Sequence, residues 1–367
     1  MEKFAFILHP ISVSDISRKF GFAKHLPDPV LESMFKLVPP MKVSHITGVR
    51  SPYAEAEGWF VAVPLTPKQF TTLPLDFVMK RIIQAGKIAE KQGAKIVGLG
   101  AFTSVVGDAG ITVAKHLNIA VTTGNSYTVA TALQGTRQAA AIMGMDMEKA
   151  ELVILGATGA IGSVSSQIMA RDKKNMTLVA RDESRLEALA KRLEDEYGAR
   201  ADISTDVKAA VKKADIIIAV SSAVDALIDA DDLKSGAIVC DVARPRSVSK
   251  AVAEARNDVL VIEGGVVEPP GDVDFGFNFG FPPKNSYACM AETMILALER
   301  RYENFSLGRD ISVAQIEEIS ALADKHGFKL AGFRSFERAL MPAHIEQIKA
   351  NVALKKAASN PEEKYQG

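Results

Sequence analysis

The sequence predicts an α/β protein with mostly parallel sheets, and three observations carry that prediction. Apolar runs of strand length alternate with helical periodicity almost from end to end of the 367 residues. The texture changes after Gly144 and again after Gly264, which divides the chain into a first unit, a regular second unit and a returning segment. No internal repeat or low-complexity stretch interrupts the alternation.

In the first unit, expected over 1–145, strands are predicted at 4–8, 43–48, 59–63 and 96–99, and a helix over 75–92 is stopped by Gly93. Prolines 27, 29, 39, 40, 52, 64, 67 and 74 mark loops. A helix over 126–143 then leads into the second unit, expected over 146–268. There, six candidate strands (152–155, 176–180, 201–203, 215–220, 237–241 and 259–262) alternate with helices that include 183–197 and 205–213. Six strands with helical crossovers make a doubly wound Rossmann domain. Gly, Pro and Phe dominate 269–283, and helices over 286–302 and 313–326 follow. Their most economical placement, within 269–332, is back against the first unit, completing an α/β substrate domain and closing a cleft. The tail, 333–367, reads as one helix near 343–356 and a polar, frayed end.

Composition excludes several functions. Forty-four basic and 44 acidic side chains give zero formal charge, so no broad field exists to capture nucleic acid or an anionic membrane. Two cysteines, 240 and 289, are too few and too distant for a disulfide framework or clustered metal motif and suit a reducing compartment. The start lacks a signal-peptide shape, and no run reaches about 18 apolar residues, so a cytoplasmic protein is expected. Histidines 9, 25, 45, 116, 326 and 344 show no metal spacing.

Strand 152–155 runs into Gly156-Ala-Thr158-Gly159-Ala160-Ile161-Gly162 and then a helix. Glycines permit the tight turn, the backbone's approach to a pyrophosphate and close helix packing, while helix N–H groups face the anion. This is a dinucleotide turn. Ser221 and Gly264, after later strands, complete the candidate cofactor contacts. The second strand ends in Ala180-Arg181, with Arg185 a helical turn on. Two guanidinium groups suit the 2′-phosphate of NADP. Asp182 between them leaves an NAD ribose contact open.

Asn285 or Ser286 is positioned to cap the helix that follows, which puts Cys289 in its first turn. There the dipole and unpaired N–H groups favour a thiolate. Ala291, Met294, Ile295 and Leu298 form the core stripe, and Cys289 points roughly opposite it, where Leu296 and Ala297 keep the surround partly apolar. Cys240 belongs to an apolar strand and reads as core. A nucleophilic thiol beside a nicotinamide indicates acyl transfer to sulfur followed by hydride reduction to an aldehyde. Thr103 and Ser104, and Asn125 and Ser126 in the run 122–127, are candidate substrate contacts, with turn and cap chemistry as the alternative. Tyr127, Lys284 and Glu292 are candidates for the proton-handling role.

These motifs resemble one family, the cyanobacterial-type long-chain fatty acyl-(acyl-carrier-protein) reductases. The resemblance spans about 4–328 and rests on several strings in matched order. They are Leu99-Gly-Ala-Phe-Thr-Ser104, Thr122-Thr-Gly-Asn-Ser126, the glycine turn, Ala180-Arg181, Glu263-Gly-Gly-Val-Val-Glu268, Ala288-Cys289-Met-Ala-Glu292, Asn304-Phe-Ser-Leu-Gly-Arg309 and His326-Gly-Phe328. It implies NADPH as cofactor, Cys289 as the acylated nucleophile, a fatty aldehyde product, and acyl carrier protein or coenzyme A as the thioester partner. More distantly, the two-domain plan is similar to shikimate dehydrogenases. The chain departs from the family at Tyr127 and Pro269, where His is usual, and in 275–281 and the tail. These departures bear on chain length and carrier more than on reaction class.

An acidic carrier calls for a basic patch. Residues 1–50 hold Lys3, Arg18, Lys19, Lys24, Lys36, Lys42 and Arg50 against four acids. Two other functions compete: a shikimate-type dehydrogenase of a small polar alcohol, whose Asn-Val-Thr-x-Pro-x-Lys segment is absent here, and a non-catalytic NADP-binding redox sensor. The tail helix offers a homo-oligomer contact without choosing a symmetry.

Overall fold

A computed structural model describes residues 1–10, 26–221, 228–243, 246–278, 283–336 and 338–359. Arg18, Lys19 and Lys24 of the basic segment, and part of 275–281, lie outside them. The chain forms two compact units, one made of 1–130 and 265–331 and the other of 131–264 and 332–367. The first break falls inside the helix Asn125–Ile142, earlier than the expected 145, and the tail joins the second unit.

The first unit is built on a six-stranded sheet in the order Gly271–Asp274, Met41–Arg50, Glu55–Ala62, Glu2–Leu8, Ile96–Leu99, Ala120–Thr122. The last four are parallel; the first two are antiparallel additions. Side chains alternate between the faces. Ala5, Ile7, Val61, Val97 and Leu99 pack under the helix Leu75–Lys91, while Phe4, Phe6, Phe60 and Ile96 pack under Ala288–Leu298. Each fully buried Phe contributes about 2–3 kcal/mol of transfer free energy. Gly98 admits the second helix closely, because a Cβ there would lie 2.0 Å from Thr293 Oγ1.

One expectation in this unit needs correction, and three short strands go beyond those expected. Residues 28–37, expected as loop because of Pro27 and Pro29, form a helix in which proline occupies the tolerated first turn. The strand Ala120–Thr122 was too short to show a period. Val266–Glu268 and Gly271–Asp274 are strands because distant segments pair with them, in a stretch whose composition signals only turns.

The second unit carries six parallel strands in the order Leu260–Glu263, Ile238–Asp241, Ile216–Ala219, Leu152–Leu155, Asn175–Val179, Arg200–Ser204. This is the doubly wound order, with its switch point between the strands that end at Leu155 and Ala219. Cys240 is buried in the sheet, its thiol directed to Ala132 O at 3.7 Å. The tail is not frayed through Ser359. Its helix Pro342–Ser359 buries Ile345, and Asn351 donates to Asn257 O at 2.8 Å. Lys355 reaches the enclosed carboxylate of Asp258, which also holds Arg256. Those two cations hold the Asp258 carboxyl well below the usual carboxylate range, Arg256 being the larger cause.

Candidate functional site

The Cys289 site is assembled within the first unit. Ser286–Tyr287 pairs antiparallel with Val266–Val267, and Ala288 N–H donates to Gly265 O at 2.7 Å, so the helix Ala288–Leu298 starts from a strand. The N-cap is therefore Tyr287, without a side-chain hydrogen bond, rather than Asn285 or Ser286. Ser286 is buried in the strand pair, and its hydroxyl has no hydrogen-bond partner among the described residues. Every residue of the helix is buried except Cys289, which is half-buried.

A polar turn covers the cysteine. Gly124 has φ +74, and a Cβ on it would lie 2.3 Å from both Cα and Cβ of Cys289. Only glycine fits there. The turn is held by Glu292, one helical turn beyond the cysteine and fully buried. Its carboxyl accepts from the hydroxyls of Thr122 and Ser306 (the latter at 2.8 Å) and from Tyr127 N–H at 2.7 Å. Gly124 N–H donates to Thr122 Oγ1 at 3.3 Å within the same network. Burial raises the Glu292 pKa against the pull of these donors. Ser126 continues the network to Ser306 Oγ at 2.7 Å. Ser306 itself stands at φ +54, a left-handed conformation costly for a non-glycine residue.

The structure thus brings together Cys289, Glu292, Ser126, Tyr127 and Asn125, the last opening the helix Asn125–Ile142. The Tyr127 ring is buried against Phe328, and burial, with Asp324 nearby, raises its hydroxyl pKa far above the usual range. Lys284 is not gathered in. It is exposed and pairs with Asp272 at 2.8 Å, which raises its pKa and opposes proton donation near neutrality. Thr103 and Ser104 serve their own turn: Thr103 Oγ1 donates to Gly100 O and Ser104 Oγ to Ala101 O.

That turn also reveals a residue that sequence reasoning passed over. Ala101 has φ +49 and ψ −123, and Thr103 N–H closes onto Gly100 O at 3.1 Å, a type II′ turn with alanine where glycine is usual. His9, at the end of the first strand, accepts the Phe102 N–H on Nε2 at 3.1 Å and holds the turned peptide. Its only sequence signal is a histidine directly after a strand, without metal spacing. Among the described residues no group of three or more His, Cys, Asp or Glu is placed to hold a metal ion.

In the second unit, the glycine turn fits a pyrophosphate. Gly156 has φ +89 and abuts Ser221, where a Cβ would lie 2.8 Å from Ser221 N, and a Cβ on Gly162 would lie 2.2 Å from Gly156 O. Gly159 caps the helix Ala160–Asp172, whose first residues are Ala160 and Ile161. Arg185 Nη2 donates to Thr158 O at 2.7 Å and so braces the turn. Asp182 caps the helix Glu183–Tyr197; the Ser184 hydroxyl and the Arg185 amide lower its pKa. Arg181 is exposed beside them. Gly264 has a packing reason of its own, because a Cβ would meet Val242, Ala132 and Cys240.

Of the basic segment's described cations, Lys3 and Arg50 pair with Glu57 and Glu55, and Lys42 donates to Gln92. The two ion pairs offset part of the local excess of positive charge; Gln92 is neutral, and Lys36 is exposed on its helix.

The shikimate/quinate 5-dehydrogenase family model matches residues 137–263, within the dinucleotide unit. The aminotransferase PigE of Serratia sp. is 31% identical over 348 residues, covering 91% of this chain, but this chain spans only 40% of that protein's length. The long-chain acyl-[acyl-carrier-protein] reductase of Synechococcus elongatus is 29% identical over 333 residues, covering 86% of this chain and 94% of its own. The resemblance to the acyl-carrier-protein reductases is borne out. With the Rossmann sheet, these matches support an oxidoreductase. Among solved structures, the NAD-dependent malic enzyme of Thermotoga maritima aligns over 96% of this chain and 84% of its own at 12% identity and a TM-score of 0.43. No helix of the described residues is long and apolar enough to cross a membrane.

Proposed function

We propose that the chain is an NADPH-dependent reductase that converts a fatty acyl thioester, carried by acyl carrier protein or coenzyme A, to the fatty aldehyde through an acyl-enzyme on Cys289. One observation carries the reading: Cys289 is the single opening in an otherwise buried helix, directly under a turn pinned by a buried carboxylate.

The Cys289 thiolate, favoured at a helix start, attacks the acyl carbonyl. The carrier's sulfur leaves and takes up a proton, and the acyl group rests on Cys289 as a thioester. Bound NADPH would supply the hydride for reduction at this acyl carbon. Cys289 then departs as thiolate and the aldehyde is released. Gly156, Gly159 and Gly162 would hold the pyrophosphate, Arg181 the 2′-phosphate, and Arg185 braces the turn. The commitment of Asp182 to its helix cap supports NADPH over NADH.

Intact-protein mass after mixing with acyl-carrier protein or acyl-CoA, without NADPH, tests the reading. A Cys289-dependent acyl adduct is expected. NADPH oxidation by an enzyme that never forms the adduct overturns the covalent route. The shikimate-type alternative draws on the family match over 137–263, which does not include Cys289. Full activity in Cys289→Ala would favour it.

A further inference from the structure

We infer that Glu292 is a positioning residue, which fixes the turn over Cys289 by accepting the Tyr127 amide, and is not the proton donor of the reaction. The inference deepens the proposed function and rests on Cys289 being the reacting group.

Three donors from two segments converge on this carboxyl: the Thr122 hydroxyl, Tyr127 N–H and the Ser306 hydroxyl. None of its surface reaches solvent. With its lone pairs engaged and its path to the thiol's surroundings filled by Gly124, Glu292 has no route by which to meet a substrate atom. What it does hold is the geometry. Gly124 rests on the Cα and Cβ of Cys289, so any loosening of the Gly124 and Tyr127 amides shifts the peptide that roofs the thiol.

The donors are of two kinds. The Tyr127 amide has a fixed hydrogen and requires an acceptor. The two hydroxyls rotate, so each is able to accept instead of donate. Thr122 Oγ1 already accepts from Gly124 N at 3.3 Å, and Ser306 Oγ shares a hydrogen bond with Ser126 Oγ. A carboxamide therefore satisfies the cage: its oxygen takes the Tyr127 amide, and its NH2 donates to the hydroxyls. An alanine leaves the Tyr127 N–H without its acceptor and takes an acceptor from each hydroxyl in a place without solvent, which is the costly case. Positioning and proton donation thus separate, because glutamine preserves the first and abolishes the second.

The test compares Glu292→Gln, Glu292→Ala and Thr122→Val in the full chain. Three measurements apply: thermal melting, the pH profile of Cys289 alkylation by iodoacetamide, and single-turnover acylation by an acyl thioester. Positioning predicts that Glu292→Gln keeps both rates within about threefold of wild type. The pH profile should be unchanged. Glu292→Ala should alter both rates by about tenfold or more, one lost hydrogen bond to a buried group being worth about that factor. Thr122→Val, which removes one donor and keeps the shape, should fall between them and decides the matter if Glu292→Ala does not fold. A Glu292→Gln protein that melts like wild type but loses about a hundredfold in acylation, or one limb of its pH profile, overturns the inference. Alkylation needs no acyl substrate. If no thioester reacts with any form, the proposed function fails while the alkylation series still decides the role of Glu292.

Discussion

Replacing Gly124 by alanine puts a methyl group where the structure has no space. Its ideal Cβ lies 2.3 Å from Cα and Cβ of Cys289 and 2.7 Å from the Cys289 carbonyl oxygen. These are backbone and first-carbon atoms of a packed helix, so no flexible side-chain end is available to swing aside. Overpacking of this kind costs about 1–3 kcal/mol. The left-handed backbone at φ +74 adds about 1 kcal/mol for a residue with a Cβ. The sum, about 2–4 kcal/mol, corresponds to a fall of roughly 5–15 °C in melting temperature for a unit of this size. Gly93→Ala is the control within the same unit: its φ is +82, but the nearest atom is the flexible Lys3 Cδ at 3.7 Å. It should cost only the conformational part, about 1 kcal/mol. Circular dichroism melts of both variants, with iodoacetamide labelling of Cys289, provide the measurement. If Gly124→Ala melts within a few degrees of Gly93→Ala and its thiol reacts like wild type, the close approach of turn and helix is wrong.

Three further outcomes are expected. Arg181→Ala should raise KM for NADPH about tenfold or more while leaving KM for NADH nearly unchanged, measured by initial rates; an equal effect on both cofactors would remove Arg181 from the 2′-phosphate. Asp258→Asn should destabilise the second unit by about 2 kcal/mol at pH 7 in urea melts, because Arg256 and Lys355 lose their buried counter-charge. The Asp258 carboxyl is depressed in the folded state, so its stabilisation is present above the ordinary value of 3.8 and fades as pH falls through the folded value. The gap between wild type and variant should therefore shrink below about pH 4, and a gap that stays constant down to pH 2 would contradict the pairing. His9→Phe keeps a ring beside Phe70 and Phe102 but removes the acceptor of the Phe102 amide, so it should cost about 1–3 kcal/mol; unchanged stability would show that the Ala101 turn stands without it.

The parallel sheets were legible because buried strands such as 96–99, 152–155 and 216–219 are short unbroken apolar runs between helical periods. The glycine turn was legible for a related reason: its spacing encodes local geometry. What escaped were features that only distant pairing decides. Gly271–Asp274 becomes a strand because Met41–Arg50 receives it, and Ser286 is not a helix cap because Val267 claims it. The Cys289 site shows the same limit. The sequence placed the thiol in the first turn of a helix, and the structure agrees. It could not show that Gly124 lies on the cysteine, that Glu292 is enclosed by donors from 122–127 and 306, or that Lys284 turns outward to Asp272. Each depends on which loops meet, and spacing along the chain does not record it. His9 was overlooked because its role is to accept a backbone amide, a use without a sequence motif.

The order of synthesis bears on how the thiol site comes into being. Phe4, Phe6 and Phe60 occupy one face of the first unit's sheet, and their cover, Met294, Ile295, Phe305 and Phe328, comes from the other side of the 131–264 insertion. At about 5–20 residues per second, the ribosome needs roughly ten seconds to most of a minute to make the intervening chain. Through that interval the nascent first unit lacks the cover of its aromatic face, and before that cover is made the dinucleotide sheet, drawn from 152–263, has all six of its strands. A product truncated before Cys289 would retain those strands but lack the Cys289 thiol, and would present to chaperones or to other chains the apolar face that the Cys289 helix otherwise closes.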